Sequence, residues 1–236
     1  DPYGKPYVPG SSLKGMLRTV LLTEKIARDP SNFSRIQTNV NQAEIRGKKN
    51  DMNREVDAIE DDAFRTLNRD EKYRHNAVND SLAGLIVSDS EPLSPECLVV
   101  CDKLDVKPNG DMEKINMERI CIRPGTQIHF EITIDQKICS LNANAIQHAI
   151  STFDDYCEKN FFSAFDCHDH LYGDQVFLGG GAGFVSKTVI YPLLGKKMGV
   201  DFTSRLLSAH FFRHHHDRDP ARYRISPRTY KMTLYN

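Results

Sequence analysis

Several things are missing from this chain of 236 residues, and each absence removes a class of protein. There is no excess of either charge. Lys and Arg total 31 against 32 Asp and Glu, for a net charge of -1. A histone-like or tail-type nucleic-acid binder would be strongly basic throughout, so an RNA or DNA site here has to be a local basic patch. No apolar run approaches the ~18–20 residues of a membrane span. The start, Asp1-Pro2-Tyr3-Gly4, has neither a basic n-region nor an apolar h-region, and no Met. The chain is therefore expected to be a fragment of a longer protein.

None of the six cysteines (Cys97, Cys101, Cys121, Cys139, Cys157 and Cys167) forms a C-x-x-C pair. Most sit in apolar or strand-like segments, where Cys acts as a small hydrophobe, and a reducing cytoplasm is the expected compartment. Apolar residues are scarce at 39%. That is below the ~45–50% of an average globular domain even with Gly counted in place of Tyr, so part of the chain is not core. No G-x-S-x-G or comparable nucleophile motif occurs. The carboxylate pairs (Asp61-Asp62, Asp154-Asp155, Asp217 with Asp219) lie in charged surroundings and read as solvated faces. An enzyme is not expected, nor a cofactor.

A turn-rich lead-in, Asp1 to Gly10, runs into a helix expected from Ser11 or Ser12. Leu13, Leu17, Val20 and Leu21 make its buried stripe, and Lys14, Arg18 and Lys25 a second, basic one. Residues 28–80 are rich in charge, Asn and Gln. Ile59, Ala63, Phe64 and Leu67 mark one short helix there, and the rest reads as a solvated insertion or mobile loop. Strands are expected at Leu85–Val87, Leu98–Cys101 and Ile120–Ile122. The alternation of Ile128, Phe130, Ile132 and Ile134 with polar residues predicts a half-buried hairpin strand across the turn at Arg123–Thr126. A helix opening near Asn142 or Asn144 carries Ile146, Ala149, Ile150, Phe153 and Cys157. A short strand at Val176–Leu178 precedes a glycine run, and a basic, His-rich segment leads to a final strand over Thr229–Tyr235. Helices interleaved with antiparallel strands predict an α+β fold. A split β-α-β, ferredoxin-like sheet lacking its first strand fits best.

Three constellations could carry chemistry. At Pro9-Gly10-Ser11-Ser12-Leu13-Lys14-Gly15-Met16-Leu17-Arg18, two hydroxyls and the unpaired amides of a helix start, with Lys14 one turn on, suit an anion. Arg18 would extend that site toward a second phosphate. The alternative is a capped helix with a solvated basic face. The second, Gly179-Gly180-Gly181-Ala182-Gly183-Phe184 before Ser186-Lys187-Thr188, resembles a Walker A loop, but Ser186 stands where Gly is needed. It reads better as a glycine nest for a phosphate chain, with Phe184 available to stack on a base. A loop with Phe184 in the core is the alternative. The third comprises Cys167-His168-Asp169-His170, His210, His214, His215, His216 and Asp217. It has metal-ligand residue types but no zinc-module spacing, so no metal site is expected, and the basic residues around the second group suit RNA better.

These motifs resemble the RAMP superfamily of CRISPR proteins. With Tyr7-Val8-Pro9-Gly10-Ser11-Ser12-Leu13-Lys14-Gly15, Ile86-Val87-Ser88-Asp89-Ser90, Arg119-Ile120-Cys121-Ile122-Arg123-Pro124-Gly125-Thr126, the run from Phe177 to Thr188, and Ser226-Pro227-Arg228-Thr229-Tyr230-Lys231-Met232-Thr233, the resemblance narrows to the fifth-subunit family of the type III-A (Csm) effector. It implies RRM-like, ferredoxin-like architecture. The implied domains are a truncated core over 1–184 with an insertion at about 28–80, and a basic extension over 185–236 completing the fold. The implied role is a crRNA-binding subunit that caps the filament, holds the 3′ part of the guide and supports its maturation. Its partners would be crRNA, the backbone and small helical Csm subunits and host nucleases, with no membrane. The motif match makes Ser11, Ser12, Lys14, Arg18, Gly179, Gly180, Gly181, Gly183, Phe184 and Lys187 the RNA-binding residues. Two other readings remain open: a metal-independent RAMP endoribonuclease using His168 or His170, and a structural adaptor with little RNA contact.

Overall fold

Pro9 fixes the entry to the first helix, because it has no N–H to satisfy and its φ of -62° already suits the helix it precedes. In the computed structural model, which describes residues 3–166, 173–180, 183–211 and 225–235, this helix is α1 (Gly10–Arg28). It buries Leu17, Val20 and Leu21 of the expected stripe together with Met16 and Ile26, while Leu13 packs half-buried against the same core. It lies against α4 (Ala143–Asn160) and against the strand β1 (Leu85–Val87). Asn142 opens α4, its side-chain oxygen accepting from the Ala145 amide at 2.8 Å. One turn-spaced set, Ile146, Ala149, Phe153 and Cys157, then faces inward.

Antiparallel to β1 runs β4 (Ile132–Ile134), pairing Leu85 with Ile134 and Val87 with Ile132. Hydrogen bonds continue irregularly beyond the strands. Ser88 donates to the Glu131 carbonyl at 2.9 Å and Glu91 to that of His129 at 3.1 Å. The lead-in joins the array, with Ser90 donating to Val8 at 2.9 Å and Leu93 to Pro6 at 2.8 Å.

The second sheet has the order β3-β2-β5 and is antiparallel throughout. It comprises β2 (Leu98–Val106), β3 (Met112–Ile122) and β5 (Tyr230–Leu234). Gly110, at a φ of +82°, closes the β2–β3 turn. This pairing corrects the hairpin expected across Arg123–Thr126. Ile120–Ile122 pairs with Leu98–Val100, while Ile132–Ile134 pairs with β1. Alternation shows that a strand has one buried face. It does not show which strand lies beside it.

Two further expectations change. The 28–80 segment forms α2 (Ser34–Gln42) and α3 (Asn53–Ala63), whose Ile36, Val40, Ile59 and Ala63 enter the same core as α1, as does Phe64. A few well-spaced apolar residues were enough to anchor an otherwise polar segment. Val176–Leu178 forms no strand, having no ladder partner among the described residues. Phe177 instead stacks on Phe162 at 5.6 Å. An unexpected helix, α5 (Ile190–His210), packs on α1, α2 and α4 and buries Tyr191, Leu194, Val200 and Phe202. Gly195 interrupts it at φ 70°, ψ 175°. Pro192, Gly195 and Gly199 disguise it in the sequence, since each normally signals a break. The architecture is α+β, with the helices α1, α2, α3, α4 and α5 sharing one hydrophobic core.

Candidate nucleic-acid interface

The start of α1 is held from outside. Pro9 offers no side-chain cap, and the Gly10 amide donates to Asp89 Oδ1 at 2.8 Å. The Ser12 amide is taken by the Pro9 carbonyl at 3.0 Å. The positive end of α1 therefore already faces a carboxylate, and the expectation of several unpaired amides for a phosphate does not hold there. Asp89 belongs to the Ile86-Val87-Ser88-Asp89-Ser90 run, which the sequence presents only as a turn. Its three polar side chains are the fasteners of this corner. Asp89 caps α1, Ser88 Oγ accepts from the Glu131 amide at 2.9 Å, and Ser90 Oγ accepts from that of Val8 at 2.9 Å.

What α1 does offer is a face. Ser11, Gly15 and Thr19 recur every fourth residue, with Ser12 beside them, turned away from Leu17 and Leu21. Across from this face lie Phe177, Gly179, Gly180 and Lys187, enclosing a cavity of about 300 Å³. Segments more than a hundred and fifty residues apart in the chain thus form the two walls of one groove. Its rims are small or hydroxylic. Ser11 and Ser12 make no side-chain hydrogen bond among the described residues, and Gly179 and Gly180 have open space where a Cβ would stand. Gly179 (φ +79°) and Gly183 (φ +97°) adopt backbone that L side chains rarely take, so these two glycines are required by conformation. Gly181 lies outside the described residues.

Cations border the groove. Lys187 Nζ donates to the Phe177 carbonyl at 3.0 Å, which pins the ammonium over one wall. Arg119 of β3 donates to the Gly180 carbonyl at 2.7 Å, joining the second sheet to the glycine loop. Lys103 stands near Arg119 and Lys231: burial first, then the charges of these two, holds its ammonium below the ordinary lysine value. Lys14, half-buried on α1, has no ion-pair partner among the described residues.

Arg18 has other partners. Its guanidinium donates to Glu60, and to Asp80 Oδ2 at 2.7 Å, and lies 4.6 Å from the centre of the Phe64 ring. Burial works to lower its pKa, but hydrogen bonds and charge from Glu60 and Asp80 outweigh this and raise it above the usual value. Lys25 lies over the same ring at 5.7 Å, and burial followed by the Arg28 charge lowers its pKa. The expected basic stripe on α1 is thus covered beyond Lys14 by α3 and the residues after it. Arg18 ties that insertion down instead of extending a phosphate site. Phe184 also points elsewhere: its ring is half-buried against the core, in the wall of a second cavity. Ser186 is buried and Lys187 closes a short 3₁₀ turn, Val185–Lys187, a geometry unlike a Walker loop.

Sequence reasoning missed Thr19 and Arg119. Spacing from Ser11 and Gly15 could have found Thr19. Only the register of β3 on β2 and the path of the glycine loop brings Arg119 to Gly180. Among the described residues, no group of three or more His, Cys, Asp or Glu could hold a metal. The five described cysteines form no disulfide, and no helix among the described residues is long and apolar enough to cross a membrane. Cys167, His168, His170 and His214 to His216 lie outside the described residues.

Residues 1–197 match the RAMP superfamily. The chain is similar to the CRISPR system Cms protein Csm5 of Mycobacterium tuberculosis (strain CDC 1551 / Oshkosh), with 26% identity over 199 residues, covering 80% of this chain and 51% of that protein. It is similar to the Csm5 protein of Streptococcus thermophilus, with 28% identity over 202 residues, covering 80% and 48%. The chain spans about half the length of the curated relatives it matches. In fold it resembles a chain of the cryo-EM structure of a Csm-crRNA-target RNA ternary complex from a type III-A CRISPR-Cas system. The TM-score is 0.56 at 21% identity, over 98% of this chain and 71% of that one.

Proposed function

The chain belongs to the RAMP superfamily, and from that membership we propose that it acts as a crRNA-binding subunit of a type III-A CRISPR (Csm) ribonucleoprotein in the cytoplasm. In this reading it caps one end of the filament, holds the 3′ part of the guide and supports its maturation. The resemblance to Csm5 proteins supports the choice of subunit.

One observation carries the RNA-binding part: the α1 face and the glycine loop meet in a single groove bordered by Lys187 and Arg119. A sugar–phosphate chain lying there would meet small residues that allow close approach, hydroxyls that donate to phosphate oxygens, and cations that neutralise them. The groove holds its RNA without cutting it. The role in this reading is binding and positioning of the strand. Protein partners, backbone and small helical Csm subunits among them, would find an apolar footing on the β2–β3 hairpin. There Val100 and Ile120 face each other in register and are 64% and 74% exposed. Host nucleases would be recruited by the assembled particle.

The same reading extends to the fold. It treats α1, β1, β4 and α4 as parts of a ferredoxin-like core interrupted by the β2–β3 hairpin, with 28–80 as an insertion and 185–236 as the extension that completes it.

The test is binding of the full chain to single-stranded RNA across a salt series. Lys14→Ala and Lys187→Ala should each lower the salt slope by about 0.7, the share of one phosphate contact on a single strand. Salt-independent binding, or a slope unmoved by both changes, would refute the phosphate role.

A further inference from the structure

Beside the groove lies a second cavity of about 320 Å³, walled by apolar side chains of α1, α2, α3 and α5. Thr19 and Lys187 line both spaces, so the two adjoin. Two polar features of the second cavity have no counterpart within the described residues. The Thr188 hydroxyl is buried without a hydrogen-bond partner. The Glu55 carboxylate, half-buried in the wall, makes no hydrogen bond or ion pair. An isolated hydroxyl in such a place costs stability, and an unpaired acceptor there is a socket for a donor.

We propose that this cavity receives an unstacked nucleobase, one carrying an exocyclic amine, from an RNA strand whose backbone lies in the adjoining groove. The inference rests on the RNA-binding reading given above. Three considerations choose a base over other occupants. The apolar walls and the flank of Phe184 match the faces of a planar aromatic ring. Glu55 accepts but cannot donate, so it repels phosphate and suits an amino group, while rotation about χ1 turns the Thr188 hydroxyl, closed off from solvent in the unbound chain, toward a second atom of the same edge. Lys187, at the boundary, stays with the backbone as the base turns inward. The Arg18–Glu60 pair also lines the cavity but is already satisfied.

The experiment uses the full chain with two probes, a short single-stranded oligoadenylate and the same oligomer stripped of its bases. The intact oligomer should bind about 5- to 150-fold more tightly, the range for one well-seated base. Val56 stands at the cavity mouth and is 54% exposed, so Val56→Trp should fill the entrance without disturbing the core. It should bring the two affinities together, leaving the salt slope and the binding of the stripped oligomer unchanged. Thr188→Val removes the unpartnered hydroxyl at constant volume. It should keep or raise the melting temperature and still reduce the preference, which guards against a mere folding defect. Glu55→Gln should narrow the difference between oligoadenylate and oligouridylate.

Equal affinity of the native chain for both probes, with a normal salt slope, would overturn the base site and leave the groove standing. A preference that survives both Val56→Trp and Thr188→Val would place the base elsewhere and also overturn it. A preference that survives while Val56→Trp abolishes binding of a protein partner would assign the cavity to that partner's side chain instead. Absence of salt-dependent binding to either probe would overturn the groove and the base site together.

Discussion

Replacing Arg18 by alanine separates two roles that look alike in a sequence. On a bare basic stripe, the change would cost one phosphate contact and almost no stability. In the structure it leaves Glu60 and Asp80 facing each other without their shared cation, and uncovers the Phe64 ring. The side chains of Arg18, Glu60 and Asp80 are 27%, 17% and 20% exposed. That is drier than a surface pair, worth about 0–1 kcal/mol, and wetter than a fully buried one, where losing a partner costs about 3–5 kcal/mol. Hydrogen bonds to charged groups contribute about 1.5–3 kcal/mol. A loss of about 2–3 kcal/mol follows, and for a chain of this size that lowers the melting temperature by about 4–12 °C. Thermal and urea unfolding of Arg18→Ala, Glu60→Gln and the double variant measure it. The double variant should lose less than the sum of the singles, because Glu60 no longer repels Asp80 once neutral. RNA binding at temperatures where the variant is folded should keep its salt slope. A melting temperature within about 1 °C of the native value, together with a slope reduced by about 0.7, would refute the reasoning and return Arg18 to the RNA.

Three further outcomes are expected. Gly10→Ala would put a Cβ 2.2 Å from the Ser88 carbonyl oxygen, a contact with backbone that only movement of α1 off β1 relieves. Urea unfolding should show a loss of about 1–3 kcal/mol, and native stability would show that α1 docks differently. The Cys157 thiol, 4% exposed, is pushed up to about 12 by burial and then by Asp154 and Glu158. At pH 8 alkylation followed by mass spectrometry should label it only when the chain unfolds, whereas half-exposed Cys97 and Cys121 label in the native state. Early labelling of Cys157 would place α4 wrongly. The Asp70 carboxyl is held below its ordinary value by hydrogen bonds from Asn76 and the Tyr73 amide. Its contribution is therefore complete above the unfolded value of about 3.9 and is lost as the pH falls through the lower folded one. Asp70→Asn should flatten that acid limb of the stability curve, and an unchanged limb would show that the loop is not held this way.

The sequence by itself determined whatever depends on periodicity and local backbone. The core of the buried stripe of α1, the start of α4 at one of two asparagines and its inward face, the strand at Leu85–Val87, the closing strand and the α+β class all follow from spacing, capping and alternation, which act over a few residues. The motifs that resemble the RAMP superfamily were legible for the same reason, as short runs of fixed residue types. Tertiary structure alone decided which elements lie beside one another. It gave Ile132–Ile134 to β1 and not to the nearer Ile120–Ile122, and folded the polar 28–80 segment onto the core through Ile36, Val40 and Phe64. It also set two neighbouring cations apart: Lys14 makes no ion pair among the described residues, while Arg18 meets Glu60 and Asp80. A lysine or arginine carries the same charge in any sequence, but the work that charge does depends on which carboxylates the fold brings within about 4 Å of it and on how far it shields them from water.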